Sequence, residues 1–509
     1  MCRWFLSIAA LIASSTACMA DSPRLAAVFS DHMVLQRDKP VPVWGWADPG
    51  TDLAVSFAGQ TVSAKADQAG RWKASLAPLP ASADPRELTI KAGTKVVASV
   101  KDVLVGEVWL GSGQSNMAMT VNRCADFPKE QQSAHFPLIR MFREESPASE
   151  KPRDNAKGTW AVCSPQTVGG FSGTLYFFGR ELHRELKVPV GLINSSVGGT
   201  PIESWVAAEA QLAMPELKPV AEAKAKADAA FDPAKAKLNH DKALAKWKAD
   251  SDKAKAAGQV APRKPIDPVE ARARRGGPGG LFNGKINPLI PYALRGVTWY
   301  QGEANTGAAE ADFYQHYLRA LVADWRSRWA DELPFAWVQL PNFNRDGEGW
   351  PLVREGMKRT LALPRTGMAI TIDIGDPKDI HPANKQDVGR RLALWALATV
   401  YGRKVESFCG PIPSGHAVNG SAVSVSFHHA DGGLVAKGGD LAEFEVAGTD
   451  GVWKPAKAVI VGQTVQVSSP EVAMPAGVRY GWSSNPACRL FNGAGLPASP
   501  FRIVNRQPN

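Results

Sequence analysis

The first candidate for chemistry is a serine, Ser115, in a short polar loop. Residues 113–117 are Gly-Gln-Ser-Asn-Met and follow closely on an apolar run, residues 103–110, that predicts a strand. Loops at the carboxyl ends of strands are where α/β sheets present reactive groups. Met117 stands where the Gly-x-Ser-x-Gly nucleophile elbow has its last glycine, which disfavours the α/β-hydrolase pattern. Ser115 is therefore predicted to be a nucleophile of another α/β fold.

His381 is the strongest partner for that serine. A serine hydroxyl is a weak nucleophile and needs a base, usually a histidine. Among nine histidines, His381 follows a predicted strand, residues 368–374, by a short loop that carries Asp376 and Asp379. Either carboxylate could orient the imidazole and stabilise its charged form. A lone serine in a glycine-rich turn is usually only a turn residue, but a serine and a histidine that both follow strands predict a nucleophile and its base.

Two further strand-end loops carry small residues and amides. Residues 299–305 (Trp-Tyr-Gln-Gly-Glu-Ala-Asn) close one predicted strand, and residues 194–200 (Asn-Ser-Ser-Val-Gly-Gly-Thr) follow another. Backbone N–H groups and side-chain amides of this kind form oxyanion holes, which stabilise the charge that develops in acyl transfer. Glu303 has a structural alternative, as a carboxylate that accepts hydrogen bonds from loop amides. We expect four such loops to converge on one site.

A parallel sheet would bring these loops together. Strands that alternate with helices predict such a sheet, with helices on both faces. One helix is predicted over residues 385–401, where apolar residues recur at helical spacing. The predicted strands are residues 103–110, 188–193, 296–300, 336–340 and 368–374.

The composition is that of a globular protein. Of 509 residues, 44% are hydrophobic and 21% are charged, which excludes a disordered chain, a collagen-like repeat and a small disulfide scaffold. The formal net charge of +10 permits attraction to anionic surfaces or acidic substrates. Because no nucleic-acid-binding motif accompanies this charge, nucleic acid is not predicted as a partner.

The start of the chain predicts export. Arg3 precedes an apolar stretch, residues 4–12, and residues 18–20 (Cys-Met-Ala) form a small-x-small cleavage site. A lipoprotein modified at Cys18 is the weaker alternative, because Ser15 stands where that signal has an aliphatic residue. No later segment has the roughly 18 apolar residues that a membrane span needs. We therefore expect a secreted or periplasmic protein whose signal peptide is cleaved near Ala20.

Four cysteines follow the predicted leader: Cys124, Cys163, Cys409 and Cys488. In an oxidising compartment they allow three pairings, of which Cys124–Cys163 and Cys409–Cys488 are the most local. We expect disulfide bonds, with four buried free thiols as the alternative.

Changes in composition divide the chain into regions. Short β-rich runs predict an N-terminal β domain, and β patterns return near the end. A Lys/Ala-rich segment interrupts the strand–helix alternation and predicts a solvated helical insertion, with a substrate-facing lid as the alternative role. The predicted boundaries are 1–20 for the signal peptide, 21–100 for the β domain, 101–206 and 281–407 for the catalytic domain, 207–280 for the insertion and 408–509 for the C-terminal β region.

Three motifs together resemble a known family. Residues 113–117, 299–305 and 376–382 (Asp-Pro-Lys-Asp-Ile-His-Pro) are similar to those of the sialate O-acetylesterase-like branch of the SGNH (GDSL-type) hydrolases. The similarity includes the β-rich start at residues 28–46 and residues 479–482 near the end, and only the insertion departs from it. The resemblance implies a flavodoxin-like three-layer α/β/α domain with flanking β-sandwich domains. It also implies a serine esterase, without metal or cofactor, that removes O-acetyl groups from sugars.

The resemblance implies a role for each site residue. Ser115 would be the nucleophile and His381 the general base. The oxyanion would be held by the backbone N–H of Ser115, a backbone N–H of Gly198 or Gly199, and the side chain of Gln301 or Asn305.

Two departures from the wider superfamily leave alternatives open. An aspartate usually lies three positions before the histidine, but Lys378 stands there in this chain. We favour Asp379 as the third triad member, with Asp376 second and a Ser–His dyad helped by a backbone carbonyl as a further possibility. Residues 301–303 (Gln-Gly-Glu) stand where the superfamily has Gly-x-Asn-Asp, so the side-chain oxyanion donor is open.

The expected substrate is an acetylated oligosaccharide or polysaccharide. Aromatic faces suit sugar rings, and Trp205 and Trp299 are candidates for the wall of the cleft beside Glu303, with core packing as their alternative role. The 16 tryptophans and the export signal favour plant-wall hemicellulose, xyloglucan or xylan, over an acetylated sialoside. A non-catalytic carbohydrate-binding protein on the same scaffold is the alternative from another class.

Overall fold

The structure, a computed structural model, describes residues 23–262 and 264–504. The predicted signal peptide and its cleavage site lie outside these residues. Within the described part, no helix has the length and the apolar character needed to cross a bilayer.

A central sheet carries the strand-end loops. Its long strand, Lys95–Gly113, lies between two parallel neighbours, Val190–Ser196 on one side and Gly296–Tyr300 on the other. The sheet order is Gly158–Val162, Ile139–Glu144, Val190–Ser196, Lys95–Gly113, Gly296–Tyr300, Phe335–Val338 and Thr366–Ala369, in which only the first pair is antiparallel. The chain order reverses at Lys95–Gly113, and such a switch point opens a crevice at the carboxyl ends of the strands.

Alternate residues of these strands face two apolar cores. Trp109 and Tyr300 belong to the core that holds the helices Gly173–Leu186 and Lys385–Thr399. Their chain neighbours, such as Trp299, belong to the core that holds the helix Tyr314–Trp329. Because successive side chains of a strand point to opposite faces of the sheet, neighbouring residues are buried in different cores. The strands Gly296–Tyr300 and Phe335–Val338 are buried along their whole length, as the sequence predicts for a parallel sheet covered by helices, whereas the edge strand Gly158–Val162 is only partly buried.

One group of N-terminal strands is continuous with the central sheet, while Arg24–Leu25, Val41–Trp46 and Arg71–Leu76 form a separate three-stranded sheet. Lys95–Gly113 pairs with the antiparallel strand Ser82–Ala92 before it enters the central sheet, so one strand belongs to both parts. The other strands of this part are Arg24–Leu25, Val34–Gln36, Val41–Trp46, Asp52–Phe57, Gln60–Lys65 and Arg71–Leu76.

The Lys/Ala-rich segment is helical. Its helices are Ala208–Ala213, Lys218–Ala229, Pro233–Ala256 and Pro268–Arg275. The two long ones bury one residue each, Ala221 and Ser251, in agreement with a solvated segment of few core positions. The remaining α-helices in the described residues are Ser115–Ala118, Phe127–Gln132, Ala308–Ala311 and Gly349–Thr360.

The C-terminal part is built from small antiparallel sheets. One holds Ile412–Asn419, Ala422–His428, Thr464–Ser468 and Lys457–Val461, another holds Trp453–Pro455, Phe444–Ala447, Gly477–Tyr480 and Phe501–Val504, and Leu434–Ala436 pairs with Leu490–Asn492. Buried Arg354 joins this part to the central sheet, because its guanidinium donates to the carbonyls of Ser483 and Ser484 as well as Leu340. The mixed α/β architecture with several sheets is thus present, while the SGNH assignment and the flanking β-sandwich domains stay predictions.

The cysteine pairing predicted from the sequence is wrong. Cys124, Cys163, Cys409 and Cys488 are all free thiols, and three of them are buried. Cys124 and Cys163 lie near different backbone carbonyls, those of Thr120 and Ala134. Burial raises the pKa of Cys124 to about 11 and that of Cys163 to about 12, which favours the protonated thiol at both positions.

We therefore expect reducing agent to leave the thermal unfolding temperature of the chain from residue 21 onwards unchanged. Disulfides stabilise chiefly by restricting the unfolded chain, and none is present to be lost. Thermal melts with and without dithiothreitol, with thiol titration of the denatured protein, test this. Four titrated thiols are expected, whereas two or none, together with a lower melting temperature in reductant, would contradict the structure.

Candidate active site

Ser115 begins the short helix Ser115–Ala118, directly after the turn that ends the central strand. Gly113 in this turn has φ +133, and a Cβ there would lie 2.1 Å from the carbonyl oxygen of Tyr300, so only glycine fits. The N–H of Gln114 donates to that carbonyl at 2.9 Å, and the N–H of Val197 donates to the carbonyl of Gly113 at 3.1 Å. The neighbouring strand ends thus fix the position of the serine.

The structure brings the two principal residues of the sequence prediction together. His381 Nε2 lies 2.8 Å from Ser115 Oγ, a hydrogen-bond distance, although 266 residues separate them in the chain. Both side chains are only partly buried, so the pair is open to a ligand. At this distance an unprotonated Nε2 can accept the hydroxyl proton, which is what a nucleophile requires of its base.

Asp379, and not Asp376, lies beside the imidazole. Asp379 Oδ1 is 3.6 Å from His381 Nδ1 and accepts the backbone N–H of His381 at 2.9 Å. Asp376 instead accepts the backbone N–H groups of Lys378 and Asp379, so it shapes the loop. The Asp379 carboxylate is 59% exposed, which makes its interaction with the imidazole a weak, solvent-screened one.

The surroundings favour a neutral imidazole. Burial lowers the pKa of His381 from its ordinary value, and the nearby cations Arg123 and Lys385 lower it further, while Asp379 opposes them. A general base must be unprotonated to act, so activity that depends on His381 rises with pH through the pKa of His381. Because that pKa is lowered, the activity should reach its plateau at a lower pH than it would with an ordinary histidine.

Asp379→Asn is expected to lower kcat more than Asp376→Asn does. The first change removes the carboxylate nearest Nδ1, which we expect to cost about tenfold because the group is exposed. It should also shift the acid limb of kcat/KM to lower pH, since Asp379 raises the pKa of His381. Acetyl-ester hydrolysis by the two variants across pH is the measurement. A larger loss in Asp376→Asn would reverse the assignment.

Two glycines adjoin the serine. A Cβ on Gly198 would lie 3.4 Å from Ser115 Cβ, and Gly199 has φ +70. In the described part of the chain, the backbone N–H groups of Ser115, Gly198 and Gly199 make no hydrogen bond. Gly198 lies beside Ser115, and backbone N–H groups without an acceptor near a nucleophile are the kind of donor that an oxyanion requires.

The structure does not bring the predicted side-chain donors to the serine. The Gln301 amide is buried and donates to Asn305 Oδ1 at 2.7 Å, and to Gln114 Oε1 and the carbonyl of Thr200 at 3.2 Å. The Asn305 amide donates to Glu203 Oε2 at 2.9 Å. The amide N–H groups of Gln301 and Asn305 therefore already have protein acceptors, and both side chains hold the loops together.

The three candidates for sugar contact are buried, which corrects the prediction for each. Trp205 and Trp299 are 0% exposed and pack edge to face at 6.0 Å in the core. Glu303 is 4% exposed and accepts the Asn116 side-chain amide at 2.6 Å. Large aromatics directly beneath the loops fill space under the site and cannot stack on a substrate.

Sequence reasoning missed two buried residues behind the pair, Asn116 and Lys385. The Lys385 ammonium donates to Asn116 Oδ1 at 2.8 Å. Asn116 could have been identified from its position next to Ser115 in the sequence motif. Lys385 carried no signal, because lysines at the start of a helix are ordinarily exposed.

The insertion contributes an arginine to the rim of the site. Arg274 is exposed, and its guanidinium lies 3.9 Å from where a Cβ on Gly199 would be. Behind the rim, Lys224 of the insertion forms an ion pair with Glu203 at 2.5 Å. The insertion is therefore in contact with the loop that carries the two glycines.

A known family of esterases is similar to this chain. A family model described as "Carbohydrate esterase, sialic acid-specific acetylesterase" matches residues 105–231 and 284–397, which include the loops of Ser115 and His381. The match leaves out residues 232–283, where the insertion has two of its helices, Pro233–Ala256 and Pro268–Arg275.

Relatives cover almost the whole chain. Sialate O-acetylesterase of Rattus norvegicus is 28% identical over 95% of this chain and 95% of its own, and that of Homo sapiens is 27% identical over 94% and 92%. The crystal structure of a carbohydrate acetylesterase from Xanthomonas citri has a TM-score of 0.79 and 35% identity, covering 95% of this chain and 100% of that one. The chain belongs to the sialate O-acetylesterase-like carbohydrate esterases and is a carboxylic-ester hydrolase.

Proposed function

We propose that this chain is a secreted O-acetylesterase that acts on sugars through an acyl-enzyme formed on Ser115. His381 is the general base and Asp379 orients it. The observation that carries this proposal is the 2.8 Å contact between Ser115 Oγ and His381 Nε2. The two groups stand at the crevice of a parallel sheet, beside free backbone donors.

In the first half of the reaction the serine is acetylated. Ser115 Oγ forms a bond to the acetyl carbon while its proton moves to His381 Nε2. The N–H groups of Ser115 and of Gly198 or Gly199 hold the oxyanion, each worth about 2.7–4 kcal/mol of barrier. The intermediate collapses as the bond from carbon to the sugar oxygen breaks, and that oxygen takes the proton from His381.

In the second half water replaces the sugar. His381, neutral again, takes a proton from water as the water oxygen attacks the acetyl-serine carbon. Collapse of the second intermediate returns the proton to Ser115 Oγ and releases acetate. Asp379 stabilises the imidazolium that exists in each half, and its negative charge is the nearest to Nδ1.

The first candidate substrate is an acetylated hemicellulose oligosaccharide, from xyloglucan or xylan. An exported chain meets such polymers outside the cell, and the predicted leader supports that location. Trp205 and Trp299 lie in the core, so neither can contact such an oligosaccharide.

An O-acetylated sialoside is the second candidate, favoured by two unpaired cations at the site. Arg274 lies beside Gly199, and Arg123 lies close enough to His381 to lower its pKa. Both are exposed, and neither forms an ion pair within the described residues. Guanidinium groups bind carboxylates in a bidentate manner, and a sialoside carries a carboxylate that neutral hemicellulose lacks.

Acetate release separates these candidates. The mature protein is incubated with acetylated xyloglucan oligosaccharides, acetylated xylan oligosaccharides and an O-acetylated sialoside, with Ser115→Ala as the blank. We expect release from the hemicellulose substrates. A preference for the sialoside that weakens at high salt would favour the second candidate, and no release from any of them by folded protein would overturn the proposed function.

A further inference from the structure

A buried polar cluster lies behind the Ser115–His381 pair. It consists of Asn116, Glu303 and Lys385, and is called here the Asn–Glu–Lys cluster. Its side chains come from three loops or helix starts that follow three strands of the central sheet. None of these side chains contacts the reacting atoms, and none of them transfers a proton in the proposed mechanism.

Asn116 is the hub of this cluster. Its Nδ2 donates to Glu303 Oε1 at 2.6 Å and to the carbonyl of Ile380 at 3.0 Å. Its Oδ1 accepts from Lys385 Nζ at 2.8 Å, and the same ammonium donates to the carbonyl of Pro382 at 2.6 Å. The amide therefore has a partner on every side, which fixes its orientation.

The bonds end on the two residues that flank the base. Ile380 immediately precedes His381 and Pro382 immediately follows it, so the cluster holds the peptide carbonyls on both sides of the histidine. The hub of these bonds is the residue immediately after Ser115. The nucleophile and the base thus share one rigid support, although the strands that carry them are not adjacent in the sheet.

Burying the charged groups of this cluster costs desolvation free energy, which argues against a purely space-filling role. Lys385 is 0% and Glu303 4% exposed, and no direct ion pair joins them within the described residues. Glu303 Oε2 has no hydrogen-bond partner. Buried charges of this kind often stabilise less than an apolar replacement would, so stability alone does not account for the cluster, whereas its bonds to both neighbours of His381 do.

Burial perturbs both ionisable groups. It lowers the pKa of Lys385 to about 8 and raises the pKa of Glu303. The groups that face Lys385 are Cys124, Glu303 and Asp379, whose negative forms raise its pKa, and Arg123, which lowers it. The Tyr300 ring, with its centroid 5.5 Å from Nζ, completes the enclosure.

We propose that Lys385, acting through Asn116, is a positioning residue that fixes His381 against Ser115. This inference rests on the proposed function, because it assigns the cluster to the reaction of that pair. Lys385 has a second effect on the same base, since its charge adds to burial and to Arg123 in lowering the pKa of His381.

Lys385→Met tests the proposal, because methionine keeps much of the volume and removes the charge and the donors. A misplacement of about 1 Å costs about 100-fold in rate, so we expect plateau kcat to fall by about 100-fold while KM changes little. The acid limb of kcat/KM should move to higher pH, because a cation that lowers the pKa of His381 is gone. Both are measured by hydrolysis of a chromogenic acetyl ester across pH.

Lys129→Met is the matched control. The Lys129 side chain is exposed, makes no hydrogen bond to the His381 loop within the described residues, and is not among the groups that shift the pKa of His381. The same change of residue there should leave plateau kcat within about twofold of wild type and the acid limb unmoved, since an exposed charge away from the base is screened. The comparison separates the role of the buried Lys385 from the general effect of replacing a lysine by methionine.

A double variant separates positioning from stability. Lys385→Met alone leaves the Glu303 carboxylate buried without its cation and should lower the melting temperature. Glu303→Gln combined with Lys385→Met removes both charges and should restore much of the melting temperature, while plateau kcat stays about 100-fold low.

Three outcomes would overturn the inference. Plateau kcat of Lys385→Met within about threefold of wild type would show that the contacts are not needed. Recovery of kcat together with the melting temperature in the double variant would show a purely structural role. Wild-type protein without acetate release would refute the proposed function first, and this inference with it, whereas an active wild type with an active Lys385→Met variant would refute this inference alone.

Discussion

Ser115→Ala is expected to lower kcat for acetate release by about 10⁴-fold or more, with no change in fold. In serine hydrolases the nucleophile and base act as one unit, and loss of the serine leaves only the catalysis by oxyanion donors and binding. Ser115 Oγ makes its hydrogen bond to His381 and is partly exposed, so the alanine leaves no buried group unpaired. Initial rates of acetate release and a thermal melt are the two measurements.

Ser112→Ala is the matched control for that variant. Ser112 lies three residues earlier, on the strand Lys95–Gly113, and its buried Oγ has no hydrogen-bond partner within the described residues. Removing an unpartnered buried hydroxyl costs little or stabilises, so activity and melting temperature should both stay close to wild type. Activity retained in Ser115→Ala, or lost equally in both variants, would contradict the assignment of the nucleophile.

The sequence was sufficient to predict the pair, because strand periodicity and loop position carry long-range information. Residues 113–117 and 376–382 each follow a predicted strand, and parallel strands bring their carboxyl ends to one edge. The helix predicted over residues 385–401 is present as Lys385–Thr399. These features depend on patterns within one element and on a general rule of sheet topology, and both can be read from a single sequence.

Side-chain orientation was beyond that kind of inference. Asp376 and Asp379 are chemically equivalent in the sequence, and only the loop backbone determines that the first accepts loop amides while the second faces the imidazole. Trp205 and Trp299 lie beside the predicted site loops in the sequence, yet the close packing of the core buries both side chains completely. An amide such as Gln301 can be counted as a donor only when its acceptors are known.

The cysteines and the buried lysine show that the folded surroundings of a residue can reverse what its type alone predicts. Four cysteines after a predicted leader favour disulfides, but Cys124, Cys163, Cys409 and Cys488 are all unpaired, and burial raises the pKa of each thiol. Lys385 opens a helix, where a lysine ordinarily reaches water, and it turns inward because two carbonyl-type oxygens, of Asn116 and Pro382, accept its ammonium. The position of such acceptors is a property of the folded chain alone.

His381→Ala is expected to lower kcat by about 10⁴-fold and to change the shape of the pH profile. Wild-type kcat/KM should rise with pH through the pKa of His381, which burial and nearby cations hold below its usual value, and then level off. Without the imidazole no group near Ser115 Oγ takes its proton, so the residual rate should rise with hydroxide and show no such plateau. His135→Ala, at an exposed histidine away from the site, is the control and should keep the wild-type profile.

The double variant Ser115→Ala with His381→Ala gives the decisive comparison. Because the hydroxyl and the imidazole act on the same proton, removing both should cost no more than removing either one. Independent groups would give losses that multiply, on the order of 10⁸-fold. A residual rate in the double variant equal to that of each single variant would establish that the 2.8 Å contact is the working contact, and a further drop would mean that His381 acts on something other than Ser115.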